Sequence, residues 1–260
     1  MKQTRFWLAT IATLLYSLTA SAHSFEVSGI YYNITSSADL TVEVTYKGEY
    51  SIAYDNEYSG AVTIPSTVTY NKNTYSVTSI GPDAFLYCNS LTDITIPESV
   101  TSIGDHAFYG CSSLTDINIH SSVTSIGSSA FSDCESLTSI TVAEGNTMYD
   151  SRGGCNAIIE TASNTLIAGC SATIIPESVT SIGKSAFSGC YSLTDITIPS
   201  NVTTIGNYAF SGCYRLTDIN IHSNVTIIGN DAFSGCSSLA DITIPEGVTS
   251  IGFEAFRYCI

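Results

Sequence analysis

The sequence predicts a β-rich solenoid of stacked coils with short helical turns, preceded by an N-terminal β cap. One 23-residue pattern carries this prediction, and its clearest copy is LTDITIPSNVTTIGNYAFSGCYR at residues 193–215. The pattern begins again at Leu91, Leu114, Leu216 and Leu239, and a broken copy begins at Leu137. A fixed period of this length is typical of solenoids, in which each repeat covers the apolar edge of its neighbour.

The first part of each repeat has the pattern of a short strand. Apolar and polar residues alternate over residues 195–198, which predicts a strand with Ile196 and Ile198 on its buried side. Pro199 is expected to end this strand because proline has no N–H to donate to a neighbour.

The second part of each repeat closes the coil. Val202 and Ile205 are expected to point inward from a second extended segment, and Gly206 to permit a backbone turn that a Cβ would resist. A helix-like spacing then predicts one short helical or 3₁₀ turn at Ala209, Phe210 and Cys213.

A constant period places equivalent side chains above one another, at a strand spacing of about 4.8 Å. The predicted aromatic file comprises Phe85, Phe108, Phe131, Phe187, Phe210, Phe233 and Phe256. The predicted aliphatic file comprises Ile80, Ile103, Ile126, Ile182, Ile205, Ile228 and Ile251.

Nine cysteines in an exported chain raise the question of disulfides. Seven of them hold one repeat position and are predicted to be free thiols in a buried file: Cys88, Cys111, Cys134, Cys190, Cys213, Cys236 and Cys259. Cys155 and Cys170 flank a predicted hairpin and are the candidate pair for a disulfide. No CxxC motif indicates zinc or thioredoxin chemistry.

The repeated string LxxIxIPxxVxxIGxxAFxxC resembles the leucine-rich repeat of BspA-like bacterial surface antigens, from about Val77 to the C-terminus. The resemblance implies a curved leucine-rich-repeat solenoid whose LxxIxI strands form the concave sheet. It also implies an adhesive role, since some members bind host matrix proteins or other bacteria, and it implies no enzymatic activity.

Residues 1–22 are predicted to be a signal peptide. Lys2 and Arg5 precede a mostly apolar segment from Phe6 to Leu18, and Ala20-Ser21-Ala22 has the small residues of a cleavage site. The alternative, a membrane anchor, is weaker because the apolar run is short and interrupted by Thr and Ser. No later segment is apolar enough to span a membrane, so the mature protein is expected to be secreted or held at the cell surface.

The chain is strongly acidic. Its formal net charge is −15, and removal of Lys2 and Arg5 with the signal peptide leaves 23 acidic and 6 basic residues, a net charge of −17. Such a surface repels nucleic acid and anionic membranes, so nucleic acid is excluded as a partner.

Residues 23–76 differ from the repeats and are predicted to form the capping region, because a solenoid needs an atypical unit to cover its first coil. The predicted strands are Phe25–Ile34, Leu40–Tyr46 and Ala61–Ile64, with a hairpin around residues 71–73. Tyrosine is dense here, which leaves open a carbohydrate-binding β-module with stacking platforms at Tyr31, Tyr32, Tyr46, Tyr50, Tyr54, Tyr58, Tyr70 and Tyr75.

The solenoid is predicted over residues 77–260, interrupted by a β-hairpin at about 144–170. Ala157–Thr161 and Thr165–Ala168 are its expected strands. The sequence stops at Cys259-Ile260 after an AFxxC turn, which would expose an apolar coil. Continuation of the gene product, truncation and self-association are all compatible with this ending.

The candidate binding residues are polar positions of the LxxIxI strands, expected on the concave face. They are Thr92, Asp93, Thr95, Thr115, Asp116, Asn118, Thr194, Asp195, Thr197, Thr217, Asp218, Asn220, Asp241 and Thr243. The Asp column is interrupted by Ser139 and has two interpretations, a Ca²⁺ site or a solvated acidic stripe. We favour the stripe, and we predict no metal and no cofactor.

The predicted function is binding of an extracellular protein or glycan, such as a host matrix glycoprotein or the surface of another cell. The alternative is a structural spacer whose specificity lies in a C-terminal segment beyond Ile260. A hydrolase is disfavoured because no GxSxG or comparable nucleophile motif accompanies the abundant serines. His120 and His222 lie four coils and an insertion apart, which argues against a shared metal or catalytic role.

Overall fold

The structure is a computed structural model that describes residues 23–48, 51 and 56–259. The predicted signal peptide, Tyr50, Tyr54 and Ile260 lie outside the described residues. Two apolar cores run along the described chain, one formed mainly by residues 25–149 and the other by residues 155–255.

The N-terminal cap is built from antiparallel strands. Strand β1 (Phe25–Val27) pairs with β2 (Ile30–Ser36), which pairs with β3 (Thr41–Thr45). Strands β5 (Thr67–Tyr70) and β6 (Asn73–Ile80) form a hairpin. Strand β3 lies parallel to β6, so the cap continues directly into the sheet of the solenoid.

The cap tyrosines are mainly core residues. Tyr31, Tyr32, Tyr58 and Tyr75 are all buried, and Tyr58 donates a 2.6 Å hydrogen bond to the carbonyl oxygen of Thr45. Phe25 stacks on Tyr70 with ring centroids 4.2 Å apart. These buried rings fill the core of the cap. The predicted sugar-stacking role is therefore wrong for the four buried tyrosines.

Most coils contribute two short strands. The first strands are β4 (Gly60–Thr63), β7 (Leu91–Thr95), β9 (Asp116–Ile119), β11 (Ser139–Val142), β16 (Asp195–Thr197) and β18 (Asp218–Asn220). The second strands are β8 (Ser102–Ile103), β10 (Ser125–Ile126), β15 (Ser181–Ile182), β17 (Thr204–Ile205), β19 (Ile227–Ile228) and β20 (Ser250–Ile251).

The second strands form the long parallel sheets of the solenoid. One sheet has the order β1-β2-β3-β6-β8-β10, and the other contains β14-β15-β17-β19-β20. The first strands pair only two at a time, as β4 with β7, β9 with β11, and β16 with β18. The LxxIxI strands therefore form three short sheets, whereas the resemblance had suggested one sheet.

The insertion forms strand β12 (Tyr149–Asp150), a 3₁₀ turn at Arg152–Gly154, β13 (Ala157–Glu160) and β14 (Thr165–Gly169). Strands β13 and β14 are antiparallel and lie within one residue of the expected hairpin strands. Strand β14 pairs in parallel with β15, with Leu166 opposite Ile182. The hairpin thus takes the place of one second strand and joins the two halves of the solenoid.

The corner that contains Ala209 and Phe210 is a series of turns, so the predicted helical turn is wrong. Tyr208 has φ +57° and Gly212 has φ +73°, which breaks any helical run on both sides. The N–H of Phe210 donates to the carbonyl of Ala232 in the next coil, at 2.7 Å, so it is not used within a helix. Equivalent bonds join Phe85 to Ala107, Phe108 to Ala130, Phe187 to Ala209, and Phe233 to Ala255.

Gly206 is required for a reason other than the one predicted. Its φ does not lie in the left-handed region. A Cβ at this position would lie 2.8 Å from the carbonyl carbon of Gly183 in the preceding coil. The glycine is needed because two backbones approach closely where coils stack.

The aromatic file is divided into two runs, so the prediction of a single file is wrong at one point. The first run, with neighbouring ring centroids 4.6–5.5 Å apart, comprises Tyr58, Phe85, Phe108 and Phe131. The second run, with neighbouring centroids 5.0–5.3 Å apart, comprises Phe187, Phe210, Phe233 and Phe256. Gly169 packs against the ring of Phe187, and its N–H donates to the carbonyl of Ala186. The inserted hairpin therefore supplies the surface that the preceding phenylalanine would have supplied.

All nine cysteines are free, including Cys155 and Cys170, so the candidate disulfide is not formed. Among the seven cysteines at the repeat position, the Cys111 thiol lies 3.1 Å from the carbonyl oxygen of Phe85. The Cys213 thiol lies 3.2 Å from the carbonyl oxygen of Phe187. Burial raises the pKa of Cys88 to about 11 and that of Cys134 to about 12. The thiols are therefore protonated wall residues at neutral pH.

Candidate functional site

The candidate site is the outer side of the first strands, which we call the first-strand face. The structure places all fourteen predicted binding residues on exposed positions of the coils. Their inward neighbours, such as Ile117, Ile196 and Ile219, are buried. This alternation follows from the strand geometry, because successive side chains point to opposite sides of a strand.

Parallel pairing aligns the polar residues of neighbouring coils. Asp195 is the direct partner of Asp218, and Thr197 is the partner of Asn220. Asp116 is paired with Ser139, as the interruption of the Asp column predicts. Carboxylates of adjacent coils are thus brought side by side at Asp195 and Asp218, whereas Asp116 faces the hydroxyl residue Ser139.

Hydroxyl groups link the coils on this face. Thr217 Oγ1 donates to the carbonyl of Thr194 at 3.0 Å. Within a coil, Thr194 Oγ1 donates to Asp195 Oδ2 at 2.9 Å, and Thr115 donates to Asp116 at 3.0 Å. These bonds fix the threonine side chains and hold the carboxylates at the surface.

The insertion separates the predicted residues into two groups. Strand β11 contacts β12 and β13, so the inserted residues follow directly after β11, the last first strand before the insertion. The N-terminal patch comprises Thr92, Asp93, Thr95, Thr115, Asp116 and Asn118. The C-terminal patch comprises Thr194, Asp195, Thr197, Thr217, Asp218, Asn220, Asp241 and Thr243. Thr194 and Thr217 directly precede β16 and β18, and Asp241 and Thr243 lie where no strand is formed.

Sequence reasoning missed three exposed residues that belong with this face. Thr138 and Thr141 hold the same repeat positions as Thr115 and Asn118, and Thr141 Oγ1 donates to Asn118 Oδ1 at 3.1 Å. Ile174 holds the position of Thr197, directly before an Ile-Pro pair, and is 77% exposed. Aligning the broken repeats position by position would have found all three.

The charged side chains among the fourteen residues of the face are all negative. Its five aspartates are exposed, and none of the fourteen residues carries a positive charge. Within the part of the chain that the structure describes, no group of three or more His, Cys, Asp or Glu side chains is arranged to hold a metal ion. The face is therefore suited to hydrogen bonding and to contact with basic or hydroxyl-rich surfaces.

Comparison with known proteins agrees with this architecture. The family model for the BspA type leucine rich repeat region matches residues 62–161 and 163–260, with 6 copies. The match begins before Val77, consistent with the parallel pairing of β4 and β7. No curated protein matches the sequence.

Two solved structures are similar to the chain over most of its length. One is a leucine rich cell surface protein from Faecalibacterium prausnitzii, with 25% identity, a TM-score of 0.59, and coverage of 90% of this chain and 86% of that chain. The other is the pneumococcal vaccine antigen PcpA, with 17% identity, a TM-score of 0.58, and coverage of 90% and 78%. The family match, the stacked 23-residue coils and this likeness lead to one conclusion: the chain belongs to the BspA-type leucine-rich-repeat family.

Proposed function

We propose that this protein is a secreted or cell-surface binding protein that engages an extracellular protein or glycan through its first-strand face. The observation that carries the proposal is the exposure of all fourteen Thr, Asp and Asn side chains in two regular patches, one on each side of the insertion. The likeness to a bacterial cell surface protein supports a location outside the cell.

The composition of the face favours binding over catalysis. Its threonines donate to backbone carbonyls of the preceding coil or to neighbouring aspartates, and none has a histidine or lysine base among its hydrogen-bond partners. Activation of a hydroxyl nucleophile usually relies on such a base, itself oriented by a third group. Repeated polar positions along several coils are typical of the extended binding surfaces of repeat proteins.

The protein holds no helix, in the ranges that the structure describes, with the length and apolar character needed to cross a membrane. The predicted signal peptide at residues 1–22 accounts for export in this proposal.

The C-terminal patch is the better candidate for the centre of binding. It holds the directly paired carboxylates of Asp195 and Asp218. Like charges side by side repel each other, and a basic partner relieves that repulsion. The adjoining Ile174, at 77% exposure, adds an apolar contact beside the acidic residues.

The test is a binding assay with the mature protein against immobilised matrix glycoproteins and bacterial cells. Asp195→Lys with Asp218→Lys should weaken binding about tenfold or more, because two attractive contacts become repulsive. The matched control is Glu26→Lys with Glu144→Lys, which makes the same charge change at exposed positions in the cap and the insertion, outside the C-terminal patch. Equal binding by the two double variants would remove the C-terminal patch from the proposal, and absence of any binding would favour the spacer.

A further inference from the structure

The N-terminal cap contains an open groove that includes none of the fourteen predicted binding residues. It lies between the turn that joins β1 to β2 and the segment that joins β4 to β5, and its volume is about 370 Å³. Pockets of about 300–1,000 Å³ are the usual size for small ligands. The groove is therefore large enough for one sugar ring.

The walls of this groove combine hydroxyl groups with aliphatic surface. Ser28, Thr63, Thr67 and Thr69 supply the hydroxyls, and Val27 and Pro65 are among the apolar residues. Hydroxyl side chains both donate and accept hydrogen bonds, which matches the hydroxyl groups of a sugar. None of the described residues that line the groove is charged, so the lining favours an uncharged ligand.

Tyr32 provides a second observation. It belongs to the lining of the groove, yet its side chain is fully buried, and its Oη has no hydrogen-bond partner among the described residues. Buried polar groups are almost always paired, and an unpaired one destabilises the protein. A ligand hydroxyl, or a water held beneath the ligand, would supply the missing partner.

A smaller groove of about 280 Å³ adjoins the first and shares Ser28, Ile30 and Thr63 with it. Glu57 lines this second groove. Its Oε2 accepts a 2.7 Å hydrogen bond from the N–H of Lys47, whereas its Oε1 is buried without a partner among the described residues. A carboxylate oxygen accepts hydrogen bonds from hydroxyl groups, so this groove continues the same chemistry beyond the first sugar ring.

We propose that the cap groove binds a neutral hexose unit of an extracellular glycan. The hydroxyls of Thr63, Thr67 and Ser28 bond the sugar hydroxyls, and the aliphatic side chains pack against the C–H face of the ring. The adjoining groove receives the next unit of the chain near Glu57. Because this site contains none of the fourteen predicted binding residues, it can be tested separately from the proposed function.

The test is an NMR titration of the ¹⁵N-labelled protein with methyl α-glucoside, methyl β-galactoside, methyl α-mannoside and N-acetylglucosamine, up to about 50 mM, since single sugars bind with millimolar constants. At least one should shift the amide signals of residues 27–32 and 63–69 saturably. Glucuronate, which is charged, should bind about tenfold more weakly. No saturable shift with any of the four neutral sugars would overturn the proposal, as would shifts produced only by a neutral tetrapeptide.

Three variants make the assignment specific. Thr63→Val and Thr67→Val should each weaken the sugar about fivefold by removing one hydrogen bond. Tyr32→Phe should weaken the sugar without lowering the thermal midpoint of the free protein, because the hydroxyl has no partner there. Thr249→Val, the same change at an exposed position near the end of the chain and outside the first-strand face, is the control. Groove variants that bind as well as this control would overturn the site.

Discussion

Tyr191 and Asp133 are 58 residues apart in the sequence, yet the Tyr191 hydroxyl donates a 3.2 Å hydrogen bond to Asp133 Oδ1. Burial, and then the neighbouring Asp133, raise the pKa of Tyr109, and the N–H of Asp133 donates to the carbonyl of Ser188 at 2.9 Å. The whole insertion lies between Asp133 and Ser188 along the chain. At this corner the coil that contains Asp133 therefore stacks directly on the coil that contains Ser188, which is the first coil after the insertion.

The Asp133 cluster predicts a measurable contribution to stability. Asp133→Asn keeps the shape and tolerates φ +58°, but it removes the charged acceptor of the Tyr191 hydroxyl. We expect the free energy of unfolding to fall by about 1–3 kcal/mol, and by about 1 kcal/mol in Tyr191→Phe. Urea denaturation measures both, and Glu135→Gln, a neighbouring exposed carboxylate, is the control. Unchanged stability in Asp133→Asn would show that the cluster does not join the two halves.

Two glycines should respond differently to alanine. A Cβ at Gly229 would lie 2.5 Å from the backbone nitrogen of Asn207 in the preceding coil, so Gly229→Ala forces the coils apart. Gly212 has φ +73°, but its nearest neighbour would be 3.5 Å away, so Gly212→Ala brings backbone strain alone. We expect losses of about 3 kcal/mol or more for Gly229→Ala and about 1–2 kcal/mol for Gly212→Ala. Chemical denaturation of the two variants decides this, and the reverse order would contradict the close packing of the coils.

The buried thiols predict a loss of stability in alkali. Burial raises the pKa of Cys88 to about 11, and those of Cys134 and Cys236 to about 12, above the ordinary value of 9. Above pH 9 the unfolded chain releases these protons while the folded chain keeps them, so stability falls as pH rises and continues to fall up to the folded pKa values.

The expected decrease is about 1 kcal/mol per thiol for each pH unit above 9. Urea midpoints at pH 7, 9 and 10 in the presence of a reductant measure it. Cys134→Ala should lower the free energy of unfolding at every pH, because it leaves a cavity. It should also reduce the dependence of that free energy on pH above pH 9, which distinguishes the effect of thiol titration from the effect of packing. A wild-type midpoint that stays constant from pH 7 to 10 would contradict the burial of the thiols.

Position along the solenoid should set the cost of removing a phenylalanine. Phe210 is fully buried between Phe187 and Phe233, whereas Phe256 stacks on Phe233 and is only partly buried. Phe210→Ala should lower the free energy of unfolding by about 3–5 kcal/mol, and Phe256→Ala should lower it by clearly less. Thermal unfolding of the two variants tests this. Equal losses would mean that the coils do not stabilise each other through their neighbours.

The 23-residue period by itself determined much of the fold. It identified the inward Ile196 and Ile198, the parallel register that aligns Asp195 with Asp218, and the exposed position of the candidate binding residues. These features could be predicted because they depend on which side of a short strand a residue lies, and that alternation is written in the local pattern.

Only the tertiary structure decided the features that depend on contacts between coils. The second strands form the long sheets, the corner at Phe210 is a set of turns because its N–H bonds the next coil, and Gly206 is fixed by the backbone of Gly183. The division of the phenylalanine file and the bond between Tyr191 and Asp133 arise from a hairpin that breaks the period. A periodic sequence reports the environment of each residue within its own repeat, but it carries no record of how two repeats meet across an insertion.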